Sequence, residues 1–200
     1  MRKFIFLTFF SCFYFTLQAQ FITEKTAIGV SFSGLGNNDA FYRDELVGAG
    51  GYSGKGYYSF GITYLRPLST KFDLETGVEY GKYNYHYSNS SLGPGNYVSH
   101  DAYLSLIEIP ITARFNFWKY FFLNGGLLLD FDITNDKYLD NQTGIGSMLG
   151  VGIKYDFKNI PIGLFVNPYV KYRPLIPFTI ETYHLRTMES GFRIGVVYNF

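Results

Sequence analysis

Cysteine is nearly missing. The chain has one, Cys12, and nothing after it can build a disulfide framework or a cysteine-based zinc site. Charge is scarce too, at 16% of residues. With 17 Lys and Arg against 16 Asp and Glu, the net charge of +1 offers no bulk attraction for nucleic acid. The residues that favour helices, Ala, Leu, Glu and Lys, are thin on the ground. Beyond the first residues no apolar run is long enough to cross a bilayer as a helix. What is plentiful is Tyr (19), Phe (21) and Gly (22), a mixture suited to strands and tight turns. Hydrophobic residues reach 47%, too many for a disordered chain. A length of 200 residues suits one domain.

The N-terminus has the three parts of an export signal. Arg2 and Lys3 precede an apolar stretch over 4–17, and Leu17-Gln18-Ala19 closes it on a small residue. Residues 1–19 are therefore expected to be a signal peptide and 20–200 the mature domain, starting at Gln20. Losing Arg2 and Lys3 takes the basic count from 17 to 15 against 16 acids, a net charge of −1. The stretch is too short for a transmembrane anchor, and the residues around Cys12 make a poor lipoprotein signal.

From Thr26 onward the hydrophobic pattern has period two. It predicts eight strands, over 25–35, 56–66, 71–87, 101–117, 121–133, 144–157, 162–173 and 190–200. Several exceed the common strand length of about 5–6 residues and match the roughly 9–11 residues that a tilted strand needs to cross a membrane. One set of faces is apolar: Tyr58, Phe60, Ile62; Ile107, Ile109, Ile111; Leu149, Val151, Ile153; Leu164, Val166, Val170; Phe192, Ile194, Val196. The opposite faces carry glycine and charge. Glu75, Glu79, Glu108, Asp130 and Asp132 stand against Arg114, Lys154, Lys171, Arg173 and Arg193, five acids against five bases.

That division predicts an eight-stranded antiparallel up-and-down transmembrane β-barrel, all-β, with greasy side chains in lipid and ionic ones in a narrow lumen. A soluble lipocalin-like barrel would turn the same pattern inside out. Connection lengths give an independent sign. Short turns at 67–70, 118–120 and 158–161 alternate with long links at 36–54, 88–100, 134–143 and 174–189. An antiparallel barrel puts all of one kind on each side, so both termini are expected on the short-turn, periplasmic side of the outer membrane. Phe72, Phe117, Trp118, Tyr120, Phe157 and Tyr198 gather at the short-turn ends, and Tyr57, Tyr85, Tyr87, Tyr103, Phe131 and Tyr172 near the long-loop ends. Aromatic rings prefer both membrane interfaces. Pro110 and Pro168 disagree with a continuous ladder, since neither can donate to it, and bulges or locally open pairing are needed to accommodate them.

Two stretches resemble a known family. Residues 191–200 alternate and stop on Phe200, as the closing strands of outer-membrane barrels do. The resemblance implies that Phe200 is a signal read by the barrel assembly machinery. Ile107-Glu108-Ile109-Pro110-Ile111, followed by Arg114-Phe115-Asn116-Phe117, resembles a strand of the outer-membrane β-barrel family abundant in Bacteroidota, which includes PorT-like proteins and is similar in architecture to OmpA and OmpX barrels. That likeness implies a part in secretion across the outer membrane.

Chemical motifs are few. The lumen charges read better as a salt-bridge network than as an ion path, because unpaired charge in so narrow a space is costly. His86, His100 and His184 all fall at long-loop ends. A catalytic reading would pair His100 or His184 with a loop serine and an acid, but exposed loop histidines are the simpler expectation. The loop 135–141 misses the calcium-loop spacing, and the glycines at 48–51 and 54–56 do not lead a strand into a helix. No cofactor and no metal is expected, nor an enzyme. The expected partners are outer-membrane lipid, the barrel assembly machinery during biogenesis, and an envelope protein met by the outer loops. The competing readings are a small transport pore and an outer-membrane enzyme acting on lipid or peptide.

Overall fold

The computed structural model describes residues 25–42, 51–89, 98–134, 139–179 and 184–200. The expected signal peptide, the glycines at 48–50 and the loop positions 135–138 lie outside them. Eight strands follow in order: β1 (Ala27–Tyr42), β2 (Gly51–Pro67), β3 (Phe72–Asn89), β4 (Val98–Phe117), β5 (Phe121–Asp132), β6 (Gly144–Asp156), β7 (Ile162–Pro177) and β8 (Leu185–Asn199). Each pairs antiparallel with its chain neighbours. β1 pairs with β8, from Ala27 opposite Asn199 up to Tyr42 opposite Leu185, and closes the ring. Closure leaves no sheet edge, which is what lets strands stand in lipid.

Outward positions are apolar and exposed: Val30 (61%), Ile62 (56%), Val78 (52%), Leu149 (62%) and Ile153 (54%). Glu79, Arg114 and Arg193 are buried. This is the reverse of a soluble barrel. At the short-turn ends Phe117 packs on Phe121, Trp118 edges onto both, and Tyr120 stacks on Tyr155. They form an aromatic girdle of the kind that settles at a membrane interface.

Three sequence expectations need correction. First, the strands run past the alternating zone. β1 continues to Tyr42 and β2 begins at Gly51, so the first long link is far shorter than 36–54. Likewise β8 starts at Leu185 rather than at 190. Above the apolar belt Asn37, Asn38 and Asp39 still pair with Ser190, Glu189 and Met188, because the ladder needs backbone groups and not greasy side chains. Second, Tyr57 and Tyr85 are not interface aromatics. They point inward, 6% and 1% exposed, on the opposite phase from Tyr58 and Phe60. Third, His184 is buried rather than an exposed loop histidine.

The prolines are accommodated by open pairing rather than by bulges. Between β3 and β4 the register stops at Thr76 opposite Ile111 and resumes unchanged at Glu79 opposite Glu108, so Gly77 and Val78 go unpaired across from Pro110 and Ile109. Between β6 and β7 it stops at Gly150 opposite Tyr169 and resumes at Ile153 opposite Val166. Each proline keeps its other neighbour, Leu128 for Pro110 and Phe192 for Pro168. The missing N–H is thus confined to one side of one strand. True bulges lie elsewhere, at 33–35, 54–56 and 145–147.

Candidate functional site

The interior is filled in three layers. Toward the short turns Ala27, Leu65, Phe122, Phe165 and Val197 form an apolar plug. Two glycines make room for it: a Cβ at Gly152 would run into the Phe122 ring, and one at Gly195 into Phe165. Toward the long loops a second cluster gathers Ala40, Tyr57, Tyr83, Tyr85, Leu104, Leu106 and Leu185.

Between them runs a ladder of alternating charge. Arg114 donates through Nε and Nη2 to Glu75 Oε2 at 3.1 and 3.0 Å. Arg193 bridges Glu75 (2.5 Å) and Glu79 (3.3 Å). Lys171 joins Glu79 (2.8 Å) to Glu108. Arg173 donates to Glu108 through Nε (3.0 Å) and to Glu189 through Nη1 (2.8 Å). Tyr169 donates to Glu189 and meets the Tyr57 hydroxyl at 3.0 Å. All these charged groups are at most 4% exposed on the side chain. Aromatic rings cap the cations: the Arg114 guanidinium lies 4.1 Å from the Phe122 centroid and the Arg173 guanidinium 5.1 Å from that of Tyr83.

Eight of the ten charged residues singled out in the sequence meet here. Seven are Glu75, Glu79, Glu108, Arg114, Lys171, Arg173 and Arg193; the eighth, Asp130, is fully buried with Oδ1 3.6 Å from Arg173 Nε. Asp132 and Lys154 stand apart. The Asp132 carboxylate accepts from the Thr134 and Gln142 N–H groups (2.7 and 2.8 Å), tying the two ends of the β5–β6 link. Lys154 is half-buried and lines a mouth cavity on the short-turn side.

Sequence reasoning missed Glu189 and Asp73, both buried. Glu189 lies four residues before Arg193, in the same alternation phase, so two more steps of period two would have reached it. With them the lumen holds more acids than bases. Neutral donors cover part of the difference: Tyr169 on Glu189, and Asn116 on Asp73 at 2.7 Å.

Two further features lie outside the lumen. The mouth cavity, about 1020 Å³, is lined by Lys25, Lys71, Lys119, Lys154 and Lys158 among others, with Phe165 also in its wall. On the outer wall at the long-loop end, His86, Ser99, Asp101 and Lys55 form one hydrogen-bonded chain. The His86 Nδ1–Asp101 Oδ1 distance is 2.7 Å, the Ser99 Oγ–His86 Nε2 distance is 3.1 Å, and Lys55 donates to both Asp101 oxygens at 2.8 and 2.9 Å. The catalytic pairing considered for His100 or His184 thus has its geometric counterpart at His86. No group of three or more His, Cys, Asp or Glu among the described residues could hold a metal ion.

The family model described as an outer membrane protein beta-barrel domain matches residues 18–200. Among solved structures, the outer membrane protein OprG from Pseudomonas aeruginosa is 12% identical, with a TM-score of 0.49 over 88% of this chain and 96% of that one. The outer membrane protein AlkL, solved by solid-state NMR in DMPC bilayers, is 15% identical, with a TM-score of 0.47 over 88% and 91%. The translocator domain of the autotransporter NalP from Neisseria meningitidis is 12% identical, with a TM-score of 0.38 over 95% and 93%. Identities this low say nothing of shared function. No curated protein matches the chain.

Proposed function

Since this chain belongs to the outer membrane protein beta-barrel domain family, we propose that it is a closed barrel which holds its outer loops at the cell surface and acts by contact, not by conduction. The observation that carries this is the lumen. Among the described residues, a ladder of paired charges, at most 4% exposed on the side chain, fills the interior between two apolar clusters. An eight-stranded barrel is just wide enough for its own side chains to fill. A channel would need mobile, hydrated charge, whereas each cation here is fixed by at least one carboxylate.

In this reading the termini are periplasmic. Support comes from the start of β1 and the end of β8 meeting on the short-turn side, where the Phe200 N–H donates to the Thr26 carbonyl at 2.8 Å. Cleavage after residue 19 precedes insertion, and Phe200 is what the assembly machinery reads. The PorT-like resemblance of residues 107–117 makes the contact one that supports protein secretion across the outer membrane, with an envelope protein as partner. Planar-bilayer recording of the purified barrel tests closure: silence is expected, and steady open currents would return the pore reading. Crosslinking in intact cells followed by detergent solubilisation tests the partner, with secretion-apparatus components expected among the captured proteins.

A further inference from the structure

We infer that Ser99, His86 and Asp101 form a serine ester-hydrolase centre on the outer wall of the barrel. The sheet register builds it. His86 on β3 lies directly opposite Asp101 on β4, and Ser99, two residues before Asp101, shares its face. The order is that of an acid–base–nucleophile relay: Asp101 Oδ1 2.7 Å from His86 Nδ1, and His86 Nε2 3.1 Å from Ser99 Oγ. An ionised Asp101 can only accept, so Nδ1 carries the hydrogen and Nε2 is left as the base toward the serine hydroxyl. Lys55 secures the acid. It stands in the bulge between Gly54 and Gly56, where Gly56 takes a φ of +104°, and donates to both Asp101 oxygens. Hydrogen bonds from Lys55 and from His86 hold the Asp101 carboxyl below its usual range.

The site is open to a substrate. Side-chain exposure is 33% at His86 and 64% at Asp101. Its position indicates the substrate class. On the same face, two residues further down β4, Tyr103 carries Lys82 over its ring at 5.3 Å, the arrangement of a side chain reaching from the belt to headgroups. At a rise of about 3.4 Å per residue, Ser99 stands ~14 Å along the strand beyond Tyr103. The relay therefore faces the water side of the lipid boundary. The register puts the hydroxyl of Ser88 opposite Ser99, and the Lys55 ammonium stands on the neighbouring Asp101. Those are side-chain donors, not a backbone N–H pair, and they suit a carboxylic ester rather than the less reactive amide.

In the reaction Ser99 Oγ attacks the ester carbonyl carbon while His86 Nε2 takes its proton. The bond from that carbon to the alkoxy oxygen breaks as His86 returns the proton to the departing alcohol. Water, deprotonated by His86, then attacks the acyl-serine, releasing the acid and restoring the Ser99 hydroxyl. One ester and one water give one acid and one alcohol.

The full chain, folded in detergent and separately in phosphatidylethanolamine vesicles, is treated with a fluorophosphonate probe and assayed on p-nitrophenyl butyrate and on the vesicle lipid. The proposal expects probe adduct on Ser99 by mass spectrometry and ester hydrolysis that falls about 100-fold or more in Ser99→Ala and in His86→Ala. Asp101→Asn should lower kcat and displace the acid limb of the pH profile, which a merely structural role would not do. Hydrolysis of the soluble ester alone identifies a soluble source, and hydrolysis of the vesicle lipid an outer-leaflet one. No adduct on Ser99, together with unchanged background hydrolysis in Ser99→Ala, overturns the proposal. All three side chains are on the wall exterior, so these variants leave the packed lumen intact. Conductance tests the closed lumen separately, so either reading can fail alone.

Discussion

Replacing Arg193 by Met tests the central physical claim, that the ion pairs of the lumen ladder are dry. Arg193 is 1% exposed and donates to Glu75, Glu79 and Asn167 at 2.5, 3.3 and 3.1 Å. Met fills much of the same volume but strands two carboxylates. Neither is wholly abandoned, since Arg114 still holds Glu75 and Lys171 still holds Glu79. Breaking a buried pair from one side costs about 3–5 kcal/mol, and the surviving partners put this variant near the lower end, ~3 kcal/mol. Urea unfolding in lipid vesicles reads it as a lower midpoint at unchanged slope. Pairing the change with Glu79→Gln should recover part of the loss, as a coupling of about 0.5–3 kcal/mol. Salt is the decisive control. Buried pairs are screened far less than exposed ones, so the deficit should persist in 1 M salt, about ten times the usual ionic strength. A loss under about 1 kcal/mol, or one that salt erases, would put these charges in water and refute the dry ladder.

Other outcomes follow from the same geometry. Gly152→Val pushes side-chain atoms into the Phe122 ring, and overpacking of this sort costs about 1–3 kcal/mol, visible as a reduced heat-resistant folded band on a gel. Val30→Arg, on the outward face of the belt, should cost about 2–4 kcal/mol, whereas Asp39→Arg, higher on the same strand, should cost about 0–1; equal costs would argue against the assigned membrane position. Deleting Phe200, a residue 62% exposed, should change the stability of the folded barrel little yet reduce the assembled fraction in cells severalfold, measured by outer-membrane fractionation. For Asp101 the carboxyl is depressed, so its ionised role is present above the ordinary carboxylate range and lost as pH falls through the folded value. A carboxyl titration followed by NMR should show Asp101 protonating below the ordinary carboxylate range.

How far the sequence could be read varies with position. Period-two alternation located all eight strands, and the alternation of link lengths ordered them. It did not locate strand ends. The upper parts of β1, β2 and β8 carry Asn37, Asn38, Asp39, Ser53 and Glu189 with no apolar rhythm, yet they remain paired. The upper lumen escaped for a related reason. Tyr57, Tyr83, Tyr85, Leu104 and Leu106 lie on the face expected to hold only glycine and charge, and aromatic or apolar residues fit either side of a barrel wall. The Ser99–His86–Asp101 relay was not legible either. His86 and Asp101 are 15 residues apart, and only the register of two particular strands makes them neighbours.

By itself the chain's order of residues determined the architecture. A side chain on a strand has only two sides to choose between, so the rule that lipid accepts apolar groups and rejects charge sorts every position at once. The tertiary structure alone decided which charge meets which. Arg193 could have faced any acid at its height in the barrel. Strand stagger, bulges at 33–35 and 145–147, and pairing gaps opposite Pro110 and Pro168 set the heights. Those offsets arise from ring closure, a condition on all eight strands together that no local stretch of sequence records.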